Sequence, residues 1–77
     1  MSVTLYSQPN CNPCNQTKKW LAKNNIDFEI KDITEDRDAF DTIIALGFTG
    51  TPVVVTENDS WQGTDIAKLK KIKSEAS

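Results

Sequence analysis

The chain has 77 residues, two cysteines, no histidine and a net charge of −2, which predicts one small domain over residues 1–77. No basic patch dominates, so nucleic acid is not an expected partner. No apolar run is long enough to span a membrane and the N-terminus lacks a signal-peptide pattern, so a reducing cytoplasm is the expected setting.

Val3 to Ser7 reads as a buried strand, ended by Ser7-Gln8-Pro9-Asn10. Asn10 is the expected helix cap, and Pro13 falls in the first turn, where its missing N–H is harmless. The helix runs to about Lys23, with Cys14, Thr17 and Leu21 on its inward stripe and Lys18, Lys19 and Lys23 facing water. Asn24-Asn25 stops it. Ile26, Phe28 and Ile30 then alternate with Asp27, Glu29 and Lys31, the period of a half-buried strand. Thr34 is expected to cap a second helix, with Glu35 and Asp36 in its first turn. That helix buries some of Ala39, Phe40, Ile43 and Ile44, and ends with Gly47 as the left-handed residue after the cap.

Pro52 opens the β-branched strand Val53-Val54-Val55, a position where proline is tolerated. Glu57-Asn58-Asp59-Ser60 is turn composition, and Trp61-Gln62 makes a short return strand. Gly63-Thr64 starts a third helix with Ile66, Leu69 and Ile72 inside and Lys68, Lys70, Lys71 and Lys73 near its end, before a frayed terminus. Seven of the eleven acidic residues lie between Asp27 and Asp41 and read as a solvated face. The order β-α-β-α-β-β-α predicts a right-handed parallel β-α-β unit followed by an antiparallel hairpin. The fold class is therefore α/β, a four-stranded mixed sheet flanked by three helices that cover both faces.

Cys11 and Cys14 carry the chemistry. Thiols at i and i+3 on a helix lie on one face about 5–6 Å apart, a separation that a disulfide can bridge without backbone movement. A loop with only two intervening residues removes little entropy from the unfolded chain, so stapling does not explain the pair. Cys11 lies at the helix N-terminus, where unpaired N–H groups and the dipole stabilise a thiolate. It is the expected nucleophile, and Cys14, one turn deeper, the resolving thiol. No imidazole is available as base or ligand. The metal alternative is half of a zinc site, which would need a second chain to complete four ligands. The strand–CxxC–helix context favours redox chemistry.

Strand, Cys-x-x-Cys, helix, and then Thr51-Pro52 before a valine-rich strand resemble the thioredoxin/glutaredoxin superfamily and imply its thioredoxin-like fold. The resemblance implies a cis Pro52 beside the dithiol and substrate backbone contacts at Thr51. Within the superfamily the chain is most similar to the NrdH-type redoxins. Thr17-Lys18, Phe28-Glu29, Gly47-Phe48, Pro52-Val53-Val54, and Ser60-Trp61 followed by Gly63 match their pattern. Trp61-x-Gly63 corresponds to the start of their Trp-Ser-Gly-Phe-Arg-Pro-Asp signature, from which Thr64-Asp65-Ile66 departs. Gly63-Thr64-Asp65 instead resembles the loop with which glutaredoxins hold the γ-glutamyl end of glutathione. Pro13 is shared with the Cys-Gly-Pro-Cys of thioredoxins, and Gln8 stands where glutaredoxins usually carry Lys.

What the resemblance implies is a dithiol–disulfide oxidoreductase whose redox centre is the Cys11–Cys14 disulfide, with no bound cofactor and no metal. It implies a monomer fed from NADPH by thioredoxin reductase and donating electrons to a class Ib ribonucleotide reductase. Two alternatives stand beside it: a glutaredoxin that takes its electrons from glutathione, and a dimer holding zinc or an iron–sulfur cluster through Cys11. Thr51, Pro52, Trp61, Gly63, Thr64 and Asp65 are the expected substrate-binding residues. Trp61 carries two readings, a core residue with its indole N–H bonded nearby and a part of the surface beside the dithiol. Phe48 reads equally as core or partner surface, and Tyr6 as strand packing or a neighbour of the cysteines. Trp20 is expected to be a partly exposed helix residue.

Overall fold

The computed structural model describes residues 3–76. Its elements are β1 (Val3–Ser7), α1 (Asn12–Lys23), β2 (Glu29–Asp32), α2 (Arg37–Ala45), β3 (Val53–Thr56), β4 (Ser60–Gln62) and α3 (Ile66–Ala76). The sheet order is β2-β1-β3-β4, with β1 parallel to β2 and antiparallel to β3, and β3 antiparallel to β4. This is the thioredoxin-like arrangement expected from the sequence.

The period-two alternation of the two central strands divides the core. Val3 and Leu5 of β1 and Val54 of β3 meet Leu21 of α1 and Leu69 and Ile72 of α3, with Trp61 beneath them and Trp20 and Phe28 partly buried at the margin. Tyr6 and Val53 point the other way, to Ala39 and Ile43 of α2, with Ile33, Phe48 and Val55 at that margin. Helices therefore cover both faces. Phe48 and Tyr6 are packed in this second core. Leu5, Leu21 and Leu69 are fully inaccessible, and each such burial contributes about 2 kcal/mol. No described helix is long and apolar enough to cross a membrane.

Both of the first two helices end in the same way. Asn25 follows α1 at φ 58° and Gly47 follows the Leu46 cap of α2 at φ 89°. In α1 the N–H of Asn25 reaches Ala22 O and that of Ile26 reaches Leu21 O; in α2 Gly47 reaches Ile44 O and Phe48 reaches Ile43 O. This pair of bonds satisfies carbonyls that a helix end would otherwise leave bare. Ile26 and Leu21 also share a core, the apolar contact that accompanies this motif.

Several sequence expectations shift at the element boundaries. The second strand begins at Glu29, not Ile26. Ile26 and Phe28 pack from the connection out of α1, whereas Ile30, on an edge strand, stays 42% exposed. Thr34 does not cap α2. Asp32 engages it first, accepting both the Thr34 N–H (2.8 Å) and its hydroxyl (2.6 Å), and this local turn delays the helix. Asp36 is the cap instead, accepting from Ala39 N at 3.1 Å. The third helix starts at Ile66, with the Asp65 carboxylate accepting from Lys68 N at 3.2 Å. Ile66 is consequently in its first turn and exposed rather than inside. The fraying expected at the C-terminus lies, beyond Ala76, outside the described residues.

Two carboxylates are held below their ordinary range in the fold. Thr34, through hydroxyl and N–H, does this for Asp32; the Ser60 N–H and the Lys68 ammonium do it for Asp59. The Asp59 contribution is complete above the unfolded value of 3.8 and is lost as pH falls through the depressed folded value. Asp59→Asn is expected to lower the urea midpoint at pH 7 and to narrow the difference between midpoints at pH 7 and pH 3. Gly47→Ala places a Cβ at φ 89° and is expected to cost about 1 kcal/mol. Asn25→Gly is expected to be neutral or slightly stabilising in the same denaturation measurement.

Candidate active site

The turn after β1 delivers Cys11 to the start of α1. Asn10, expected as the helix cap, instead takes φ 61° in that turn, a conformation asparagine adopts more readily than most residues. Cys11 itself is the cap: it is extended, and its Sγ accepts the Cys14 N–H at 3.2 Å. Pro13 sits between them at the second helical position and has no N–H to offer. The amide available to the capping sulfur is thus that of Cys14. The first turn of α1 holds no acidic residue, so no carboxylate of that turn opposes negative charge on Cys11.

Cys11 and Cys14 are joined as a disulfide with Cα atoms 5.2 Å apart. Cys11 is 8% exposed and Cys14 3%, the order expected for an outer and an inner thiol. Opposite them stands the cis Thr51-Pro52 bond. Pairing of Tyr6 with Val53 sets the exit of β1 against the entry of β3, which brings residues forty positions apart into one site. Thr51 Oγ1 lies 3.6 Å from Cys11 Sγ, a donor contact to the larger sulfur acceptor. Thr51 is half-buried, and its backbone N–H and C=O have no partner among the described residues.

The segment after β4 closes the third side. Gly63, at φ 93°, donates its N–H to Pro52 O at 2.8 Å. Thr64 Oγ1 reaches Pro13 O at 3.2 Å, and Thr17 Oγ1 reaches the same oxygen at 3.0 Å, with 3.2 Å between the two hydroxyls. Two hydroxyl protons serve three contacts, so the carbonyl and the hydroxyls act as one unit. Asp65 is one step further on and caps α3. The structure therefore brings Cys11, Cys14, Thr51 and Pro52 together, with Gly63 and Thr64 fastened behind them.

Trp61 does not join this group. It is 6% exposed in the α1/α3 core, with Lys68 Nζ 5.5 Å from its ring centroid. Its shallow surroundings are Thr56, Asn58, Asp59, Lys68, Lys71 and Ile72, at the turn end of the hairpin away from Pro52. The expected partner for the indole N–H is not found: Nε1 is buried without a hydrogen bond among the described residues. The shared Thr17–Thr64–Pro13 unit and the Thr51 hydroxyl were not anticipated from sequence. The one local hint was Thr17, a polar residue on the inward stripe of α1, buried at 0% exposure.

Among the described residues, no group of three or more His, Cys, Asp or Glu is placed to hold a metal ion. A glutaredoxin family model matches residues 3–61. The chain is 33% identical over 70 residues to the glutaredoxin-like protein NrdH of Lactococcus lactis, covering 91% of this chain and 97% of that one. It is 38% identical over 63 residues to the NrdH of Salmonella typhimurium, covering 82% and 78%. Among solved structures, the NrdH-redoxin of Escherichia coli superposes with a TM-score of 0.89 at 28% identity over 94% of this chain and 95% of that one. That protein is a glutaredoxin-like protein with a thioredoxin-like activity profile.

The Thr17–Thr64–Pro13 unit gives a measurable coupling. Thr17→Val removes a buried hydroxyl and is expected to destabilise the protein by about 1 kcal/mol. Thr64→Val is expected to cost less, being exposed. The double variant in chemical denaturation should lose more than the sum, because either hydroxyl alone still serves the shared oxygen and only the double variant strips it of both.

Proposed function

The chain belongs to the glutaredoxin family, as one of its glutaredoxin-like NrdH redoxins, and is a thiol-disulfide oxidoreductase; from that premise we propose that it is an electron carrier reloaded by thioredoxin reductase. NADPH stands behind that enzyme, and a class Ib ribonucleotide reductase is the protein that this carrier reduces. The setting is the cytoplasm, and the working form is a monomer.

In the reduced carrier the Cys11 thiolate attacks one sulfur of the substrate disulfide. A Cys11–substrate disulfide forms, and the other substrate sulfur leaves as a thiolate that takes a proton. Cys14, once deprotonated, attacks Cys11 Sγ, and the second substrate sulfur leaves in the same way. Two electrons and two protons have passed to the substrate, and the Cys11–Cys14 disulfide seen here is restored. The observation that carries these roles is the Cys14 N–H on Cys11 Sγ at the helix N-terminus. A charge-assisted N–H bond and the helix dipole both favour the thiolate at Cys11. Thr51 adds a hydroxyl to the same sulfur. Its unpartnered backbone groups suit an extended substrate chain, in the manner of an added strand.

The thioredoxin-like activity profile of the Escherichia coli relative supports thioredoxin reductase as the source of electrons. So does the use of the Gly63-Thr64-Asp65 loop within the fold. Thr64 is tied to Pro13, and the Asp65 carboxylate receives Lys68 N–H. In a glutathione-fed carrier, that loop is the part that would face the γ-glutamyl group.

With NADPH and thioredoxin reductase, the protein is expected to reduce an insulin-type disulfide. Efficient turnover with glutathione and none with thioredoxin reductase would falsify the proposed reductant. Cys11→Ser is expected to abolish activity. Cys14→Ser should accumulate a mixed disulfide through Cys11, detectable as a mass adduct; accumulation in the Cys11 variant would reverse the two roles.

A further inference from the structure

The cis-proline loop is held at its two ends and only lightly between them. At one end Phe48 N–H bonds to Ile43 O, closing α2; at the other, Pro52 O accepts from Gly63 N–H. Thr49, Gly50 and Thr51 lie between these anchors and carry the hydroxyl that meets Cys11. Apart from that hydroxyl, one bond reaches into the segment among the described residues: Thr49 N–H donates to Gln62 Oε1 at 3.2 Å. The same side-chain amide passes beside Gly50, where an added Cβ would stand 3.8 Å from Gln62 Nε2. Gln62 is on β4 and paired with Val53, so its backbone is fixed by the sheet while its side chain extends over the loop. It is exposed and belongs to neither core, so packing does not account for its position.

We propose that Gln62 is a positioning residue for substrate: its carboxamide holds Thr49 and thereby sets Thr51 where an extended disulfide-bearing peptide must pair with it. This rests on the reading that such a chain pairs with Thr51. The free segment is short, so a shift at Thr49 is carried to Thr51 two residues on. The reacting sulfur takes its shorter bond, 3.2 Å from the Cys14 N–H, from the α1 terminus, and the Thr51 hydroxyl is the longer contact at 3.6 Å. Loss of Gln62 therefore weakens capture of the peptide and leaves the exchange step nearly intact, because the thiolate keeps its Cys14 amide.

The test mixes the pre-reduced chain with an excess of a disulfide-bridged peptide and follows single-turnover oxidation against peptide concentration. Gln62→Leu and Gln62→Ala are each expected to raise the half-saturating concentration about fivefold, the worth of one hydrogen bond. The limiting rate should change less than about twofold. Gln62→Glu keeps an acceptor for Thr49 N–H and should return the half-saturating concentration toward the wild-type value. Hydrogen exchange at the Thr49 amide reports whether the tie has been broken. Faster exchange at Thr49 with an unchanged half-saturating concentration overturns the proposal, as does failure of Gln62→Glu to restore it. If the wild-type protein does not reduce the peptide at all, the extended-substrate reading falls and takes the proposal with it. Equal behaviour of wild type and variants on a peptide that is reduced sinks the role of Gln62 alone.

Discussion

A single sulfur at a helix terminus organises this molecule. A capping side chain meets the amide of the second or third helical residue. Here the second is Pro13, which has none, so the Cys11 sulfur meets the third, Cys14. The residue that supplies the amide is the residue that supplies the other sulfur. Asn12 and Pro13 are thus more than a spacer: they direct the positive end of α1 onto one sulfur of the pair. Cys14, a turn deeper and less exposed, gains no such donor among the described residues.

The remainder of the fold gives that sulfur an opposite wall. Antiparallel pairing of β1 with β3 puts the exit of one strand beside the entry of the other, so Cys11 and Pro52 meet although forty residues separate Cys11 from Thr51. Parallel pairing of β1 with β2 makes room for α1 on one face, and α2 supports the other. The short β4 then does two things at once. Its backbone completes the sheet beside β3, and the residues leaving it fasten Pro52 through Gly63 and Pro13 through Thr64. Both walls of the site therefore refer back to one three-residue strand.

What could be read in the sequence was local. The CxxC spacing, the valine run, the inward stripe Cys14-Thr17-Leu21 and the left-handed Gly47 each follow from neighbours within a few residues, and the structure has each in place. Boundaries failed where two local preferences competed. Asp32 took Thr34 into a turn before Thr34 could cap a helix. Ile26 and Phe28 alternated like a strand but pack from a helix-terminating connection. The contacts of the site that escaped were long-range polar ones: Thr51 to Cys11, Thr64 to Pro13 and Gln62 to Thr49. Nothing in a hydroxyl or a carboxamide announces a partner 13, 40 or 51 residues away. Of the two readings of Trp61, the core one holds: its bulk placed it among the buried side chains.

The character of the walls bears on what the dithiol can grip. Glutathione is a small anion with two carboxylates, and a site that holds it by itself must supply cations or a dense set of donors. Three residues before Cys11 the chain carries the uncharged Gln8, the Thr51 hydroxyl is already turned to Cys11, and the Thr64 hydroxyl is already turned to Pro13. Lys18 and Lys19 are on the exposed face of α1. Beside the reacting sulfur and next to a cis proline stand the N–H and C=O of Thr51, unpartnered among the described residues. Backbone groups recognise extended chain of almost any sequence, and gain affinity only over several residues. A protein disulfide offers that length on both sides of its cysteine, whereas a tripeptide offers little of it.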